Sequence, residues 1–185
     1  MDRLDPRTSL LLVVDVQERL AAAMPPPILE RLVANALVLL ETARLLAVPV
    51  VASEQYPNGL GPTLAPIAEK LRALGVVPID KLTFDACGEP RVAGAIADRA
   101  PRAVVIVGVE THVCVFQTAR ELARRQIDVR VVADAVASRR EESRALGLSM
   151  CERAGALVMP AEAVVFDWLE RAGTDEFRAI SRLVR

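Results

Sequence analysis

The sequence predicts a three-layer α/β/α domain built on a parallel β-sheet, and three observations carry that prediction. Short apolar runs of strand length alternate with longer stretches of helical period, the runs are mostly β-branched and nearly free of charge, and the alternation repeats six times. An uncharged strand has no polar face to turn to water, so it must be covered on both sides, as the strands of a parallel sheet are. Parallel neighbours also need crossover connections, which helices supply. A length of 185 residues fits one domain, expected to span residues 1–185, and a chain of that size buries roughly 70% of its unfolded surface without needing disulfide staples.

The strands are expected at residues 10–14, 48–52, 76–79, 103–107, 129–133 and 156–159. Between them, 28–46, 63–74, 90–99, 113–125 and 141–154 group their charges on one side or at their ends and read as helices. Pro90 suits a first helical turn, where its missing N–H costs nothing. Gly75 and Gly155 follow helical stretches and suit helix ends. The tail, 161–185, reads as one or two further helices interrupted near Gly173. The stretch 28–46 carries only four charges, so a second subunit is expected to cover part of it, giving a homo-oligomer, dimer or tetramer.

Composition excludes several functional classes. Hydrophobic residues make up 52% and charged residues 25%, with a net charge of −1, which is the profile of a soluble globular protein and lacks the basic footprint of a nucleic-acid binder. The longest uncharged stretch, 55–68, is 14 residues long and holds three prolines and two glycines, so it cannot span a bilayer. The N-terminal run has acids on both sides and no small-residue cleavage site after it, and Cys87, Cys114 and Cys151 form neither a CxxC pair nor a disulfide framework. A reducing, cytoplasmic compartment is expected.

In open α/β sheets, ligands bind beyond the carboxyl ends of the strands. Asp15, Lys81 and Cys114 all fall there, after the first, third and fourth runs. Asp15 follows five apolar residues, a buried rim position where a lone carboxylate is costly and needs a cation. Lys81 is a natural partner because the chain has 21 arginines and only two lysines, and lysine differs from arginine in being a compact ammonium that burial can perturb. With two strand spacings between them, the gap is about 10 Å, much of which a lysine side chain covers. Cys114 is expected in the first turn of a helix, where unpaired N–H groups and a nearby ammonium favour a thiolate nucleophile. Cys87 and Cys151 read as core residues. His112, the only histidine, reads as a turn or pocket-wall residue, since one imidazole cannot build a multi-histidine zinc site. Dinucleotide and P-loop patterns are absent. Gln17, Glu54, Tyr56 and Phe84 lie just past strand ends and are candidate substrate-binding walls.

The segments VDVQ at 14–17, Lys81, and GVETHVCVFQTA at 108–119 together resemble the isochorismatase-like cysteine hydrolases, over nearly the whole chain. SEQYPNGLGPT at 53–63 and VVADAVASR at 131–139 are most similar to the isochorismatase domain-containing proteins of that superfamily. The resemblance implies strand order 3-2-1-4-5-6, a triad of Asp15, Lys81 and Cys114, a non-proline cis peptide at Val109-Glu110, and an oxyanion hole from the backbone N–H groups of Glu110 and Cys114. It departs from the nicotinamidase branch in lacking that branch's DxH…H metal site, so no metal and no cofactor are expected. The implied activity is hydrolysis of a small-molecule amide or related C–N bond through a thioester acyl-enzyme. Two alternatives stay open: hydrolysis of a vinyl ether of the isochorismate type, and a non-catalytic or redox-sensing role for the thiol.

Overall fold

The computed structural model describes residues 3–184. In chain order its elements are β1 (Ser9–Val14), α1 (Glu18–Ala21), α2 (Pro26–Leu45), β2 (Val50–Gln55), α3 (Pro57–Leu60), α4 (Ala65–Ala73), β3 (Ile79–Lys81), α5 (Pro90–Ala97), β4 (Ala103–Val109), α6 (Phe116–Arg124), β5 (Asp128–Ala137), α7 (Glu141–Arg153), β6 (Leu157–Met159), α8 (Ala161–Leu169) and α9 (Asp175–Ile180). The six strands form one sheet in the order β3-β2-β1-β4-β5-β6, and every pair is parallel.

Alternate residues of each strand feed two cores. Leu11, Val13, Val105 and Val107 pack with α2, α4 and α8 on one face. Leu10, Leu12, Val104 and Ile106 pack on the other face with Val92 of α5, Leu122 of α6 and Cys151 of α7. β1 and β4 are buried at every position, which is why they read as unbroken apolar runs.

Two expectations are corrected, the bounds of the third strand and the turn that carries Cys114. The third strand begins where it was expected to end: Val77 stays exposed, and pairing with β2 covers only Ile79, Asp80 and Lys81. Pro78 cannot donate to a ladder, which confines pairing to the residues after it. The stretch 28–46 forms most of α2 and meets the sheet and helices of its own chain. Its larger apolar residues pack into the first core together with residues of α4, α8 and α9, and none is among the exposed large hydrophobics. Cys114 does not sit in an ordinary first helical turn. Thr111–Val115 forms a π-helical turn that precedes α6, with the carbonyl of Glu110 accepting from both Val113 (3.0 Å) and Val115 (3.2 Å).

Two glycines make this geometry possible. Gly108 has φ +128°, and a Cβ there would lie 1.9 Å from the Val14 carbonyl oxygen, so only glycine lets β1 and β4 approach just before the site. Gly147 of α7 lies against the turn, where a Cβ would come within 2.7 Å of the His112 nitrogen. No helix among the described residues is long and apolar enough to cross a membrane.

Gly108→Ala is expected to cost about 3 kcal/mol or more through backbone overlap and left-handed strain, lowering the melting temperature by roughly 6–12 °C for a chain of this size. Gly94→Ala, in α5 where a Cβ meets nothing within 4 Å, is expected to stabilise by about 0.5–1 kcal/mol. Thermal unfolding of both variants checks the contrast.

Candidate active site

Asp15, Lys81 and Cys114 converge at the carboxyl rim of the sheet. Asp15 follows the last residue of β1 in a left-handed conformation (φ 53°), one aspartate tolerates better than most side chains. Its backbone N–H donates to the Ser53 carbonyl at 3.1 Å, and its Oδ1 accepts from Ser53 Oγ at 2.8 Å. Ser53 stands opposite Val14 in the β1–β2 register, and Lys81 stands opposite Gln55 in the β2–β3 register. The lysine therefore reaches across β2, and its Nζ lies 2.7 Å from Asp15 Oδ2.

The ammonium is enclosed by acceptors. Gln55 Oε1 accepts at 2.6 Å, the Thr83 carbonyl at 3.0 Å and the Phe84 carbonyl at 3.2 Å. Those three take up its three protons. The approach to Asp15 Oδ2 is close but poorly directed, so Oδ2 feels the positive charge without a well-formed hydrogen bond. The Asp15 and Lys81 side chains are both fully buried. Burial raises the Asp15 pKa above the ordinary aspartate value, opposed by the charge of Lys81 and the close approach of its Nζ, and then by hydrogen bonds from Ser53 and Cys114.

Cys114 keeps 5% of its surface accessible. Cys87, a core residue, keeps the same 5%, whereas the Asp15 and Lys81 side chains keep none. The sequence-based expectation of a stabilised thiolate is corrected: burial, and then the Asp15 carboxylate, push the thiol up to about 12. The Lys81 charge and the Glu110 backbone N–H pull the other way, with less effect. The thiol is therefore neutral at rest beside Asp15. Cys87 and Cys151 are likewise pushed to about 12 by burial and sit in the second core.

The turn that carries Cys114 is held from both sides. The Val109-Glu110 peptide is cis. Glu110 Oε2 accepts from the Arg139 backbone N–H (3.0 Å) and from Arg139 Nε (3.1 Å). His112 Nδ1 pairs with Ser138 Oγ at 3.0 Å, and the histidine lines a cleft of about 450 Å³ with Arg139, Arg140 and Ser143. The triad does not line that cleft. A second one of about 390 Å³ borders Lys81 on the β3 side, with Tyr56, Pro57 and Leu82 in its wall.

The other predicted wall residues separate into two kinds. Gln17 is buried and uses its amide on the chain itself, accepting from the Gln55 N–H (2.7 Å) and donating to the carbonyls of Gln55 (3.0 Å) and Gly61 (2.7 Å). Glu54 Oε1 accepts from both the backbone N–H and the hydroxyl of Thr63, each at 2.6 Å. Both tie the loop after β2 in place. Tyr56 and Phe84, 52% and 55% exposed, stand at the rim, with Leu82 at 75% beside them. Sequence reasoning missed Ser53, Gln55 and Arg139 as site residues, although all three lie inside the segments that carried the resemblance. Among the described residues, no three His, Cys, Asp or Glu side chains gather closely enough to hold a metal ion.

Breaking the buried pair from one side is expected to cost more than removing it whole. Lys81→Met should destabilise the protein by about 3–5 kcal/mol, and the Asp15→Asn/Lys81→Met double variant by less than the sum of the singles, as urea unfolding at pH 7 can measure.

The sequence profile described as the isochorismatase domain matches residues 9–163. The chain is 36% identical over 186 residues to isochorismatase domain-containing protein 2 of Bos taurus, covering all of this chain and 87% of that one. It is also 36% identical over 190 residues to the secreted isochorismatase effector Isc1 of Phytophthora sojae, covering all of this chain and 88% of that one. Among solved structures, the MAR1 ribonuclease of Caenorhabditis elegans superposes with TM-score 0.91 at 32% identity, covering 99% of this chain and 92% of that one. YcaC of Escherichia coli, described as an octameric hydrolase of unknown specificity, superposes with TM-score 0.88 at 22% identity, covering 98% and 90%. YcaC of Pseudomonas aeruginosa, solved with covalent acrylamide, does so with TM-score 0.86 at 24% identity, covering 96% and 89%.

Proposed function

The chain belongs to the isochorismatase family, and from that premise we propose that it is a metal-independent cysteine hydrolase that cleaves a small-molecule amide or related C–N bond through a thioester acyl-enzyme. The observation that carries the reading is a buried thiol set against a sealed carboxylate–ammonium pair at the carboxyl rim of the sheet. The substrate carbonyl carbon approaches Cys114 Sγ as the thiol proton passes to Asp15. The S–C bond forms, and the carbonyl oxygen takes the negative charge, which the N–H groups of Glu110 and Cys114 receive. Each such donor contributes about 3 kcal/mol in acyl-transfer enzymes. Protonated Asp15 gives its proton to the departing amine as the C–N bond breaks, then takes one from the water that hydrolyses the thioester. Lys81 holds Asp15 in its charged form between these transfers.

The raised Asp15 and Cys114 pKa values support this sequence, because they keep the proton on sulfur at rest and let the acid hold it after transfer. Vinyl ether cleavage requires an acid and has no use for the thiol. A redox-sensing role alone has no use for Asp15 and Lys81 at that sulfur. The ribonuclease description of the C. elegans relative raises RNA as a substrate class, against which stand the net charge of −1 and the absence of a basic stripe along the sequence. Tyr56 and Phe84 are proposed as substrate walls, and the apolar rim they form with Leu82 as a surface covered in a homo-oligomer, in line with the octameric E. coli relative. Three free buried cysteines support a reducing compartment such as the cytoplasm.

On a panel of small primary amides and carbamates, the wild type is expected to accumulate an acyl adduct on Cys114, seen by intact mass after acid quench. Cys114→Ala should lose the adduct and at least about 10³-fold in rate, as removal of a nucleophile does, with an unchanged fold by circular dichroism. Turnover surviving in that variant defeats the reading, as does activity lost to a chelator and restored by zinc. The pH dependence has a definite sign. Only ionised Asp15 accepts the thiol proton, so kcat/KM falls as pH drops through its pKa. Because burial raises that pKa, the acid limb of the profile is expected above the ordinary aspartate value of 3.8.

A further inference from the structure

The geometry around Lys81 assigns Gln55 as a positioning residue: we infer that it keeps the N–H bonds of the ammonium turned away from Asp15 Oδ2, so that Lys81 acts on the carboxylate through charge while the oxygen's lone pairs stay open to the Cys114 proton. The inference rests on the proposed role of Asp15 as proton acceptor. Four acceptors surround three ammonium protons: Gln55 Oε1, the carbonyls of Thr83 and Phe84, and Asp15 Oδ2. The shortest directed bond goes to Gln55, at 2.6 Å, and Oδ2 is the one left without a directed bond although it lies only 2.7 Å away.

Gln55 is itself fixed at three points. Its backbone N–H donates to Gln17 Oε1 at 2.7 Å, its carbonyl accepts from Gln17 Nε2 at 3.0 Å, and its Nε2 donates to the Leu82 carbonyl at 2.9 Å. With Nε2 committed to a carbonyl, the amide cannot flip, so Oε1 must face Nζ. Remove that oxygen and the ammonium has three acceptors for three protons, the third being Oδ2. A hydrogen bond there favours the ionised carboxylate and occupies the lone pair the thiol proton needs. A glutamate at the same position restores the acceptor but sets a second negative charge against Lys81, which weakens its hold on ionised Asp15. The two substitutions therefore drive Asp15 in opposite directions, which damage to the fold does not do. The groups facing Asp15 are Lys81 from β3, Cys114 from the π turn and Ser53 from β2, and half-buried Asp85 also senses Lys81.

The test follows alkylation of Cys114 by iodoacetamide as a function of pH, with peptide mapping to count that site alone. In this reaction the sulfur displaces iodide, an S–C bond forms as C–I breaks, and the thiol proton leaves through Asp15. Relative to the wild type, Gln55→Leu is expected to lower the acid limb by about one pH unit and the plateau rate about tenfold, and Gln55→Glu to raise the limb by about one unit. Gln55→Met, closer in length, replaces Gln55→Leu should that variant not fold. Limbs that stay in place, or that move in the same direction in the apolar and acidic variants, overturn the inference. Turnover of the wild type on the amide panel is measured in parallel. Opposed limbs without turnover leave the positioning intact and remove the hydrolase, whereas turnover with unmoved limbs does the reverse.

Discussion

The buried contact between Lys81 and Asp15 is the constraint around which the rest of the rim is arranged. Neither charge could be removed from water at acceptable cost without the other, and neither is close to the other in sequence. The fold meets that requirement with parallel register: β2 lies between their strands, contributes Ser53 to the carboxylate and Gln55 to the ammonium, and so lines both halves of the pair with polar atoms. The consequence for chemistry is a poorly solvated carboxyl group whose pKa burial raises, next to a thiol that burial keeps protonated. Such a pair stores a proton-transfer step rather than a preformed thiolate.

The second requirement is to bring sulfur to that pair, and backbone geometry supplies it. Gly108 lets β4 press against β1, the following peptide is cis, and a π-helical turn rather than an α-helical one carries Cys114. A π turn inserts one residue relative to an α-helix, and such insertions recur at functional positions. The turn is braced by Arg139 through Glu110, by Ser138 through His112, and by the close approach of α7 at Gly147. The cleft that His112 lines with Arg139, Arg140 and Ser143 borders these braces and does not include the triad.

The architecture was legible because its signals are local and strong. Two-sided burial removes charge from whole strands, so runs such as Leu10 to Val14 declare themselves without reference to neighbours. Asp15 and Lys81 were legible for a related reason: a carboxylate inside an apolar rim demands a cation, and lysine is rare in this chain. What stayed hidden was geometry that depends on through-space company. Nothing in THVCV distinguishes a π turn from an α-helical start. The thiol's pKa depends on burial by segments far away in sequence, which outweighs the helix-terminus effect expected from position alone. Glutamines such as Gln17 and Gln55 give no sign of whether they face a ligand or bridge two loops. The neighbours that α2 meets within the chain, α4, α8 and α9, come from distant segments and leave no mark in its own sequence.

Lys81 ends a strand of only three residues at the margin of the sheet, a length that β6 shares at the opposite edge. Marginal elements of this kind open locally at free energies well below that of global unfolding. Here the same residue that closes the ladder also closes the charge, through carbonyls at 83 and 84 that fasten the following loop. Fraying of that edge and loss of the reactive pair are thus a single event. An opening confined to β3 would part Lys81 from Asp15 while both cores stayed packed.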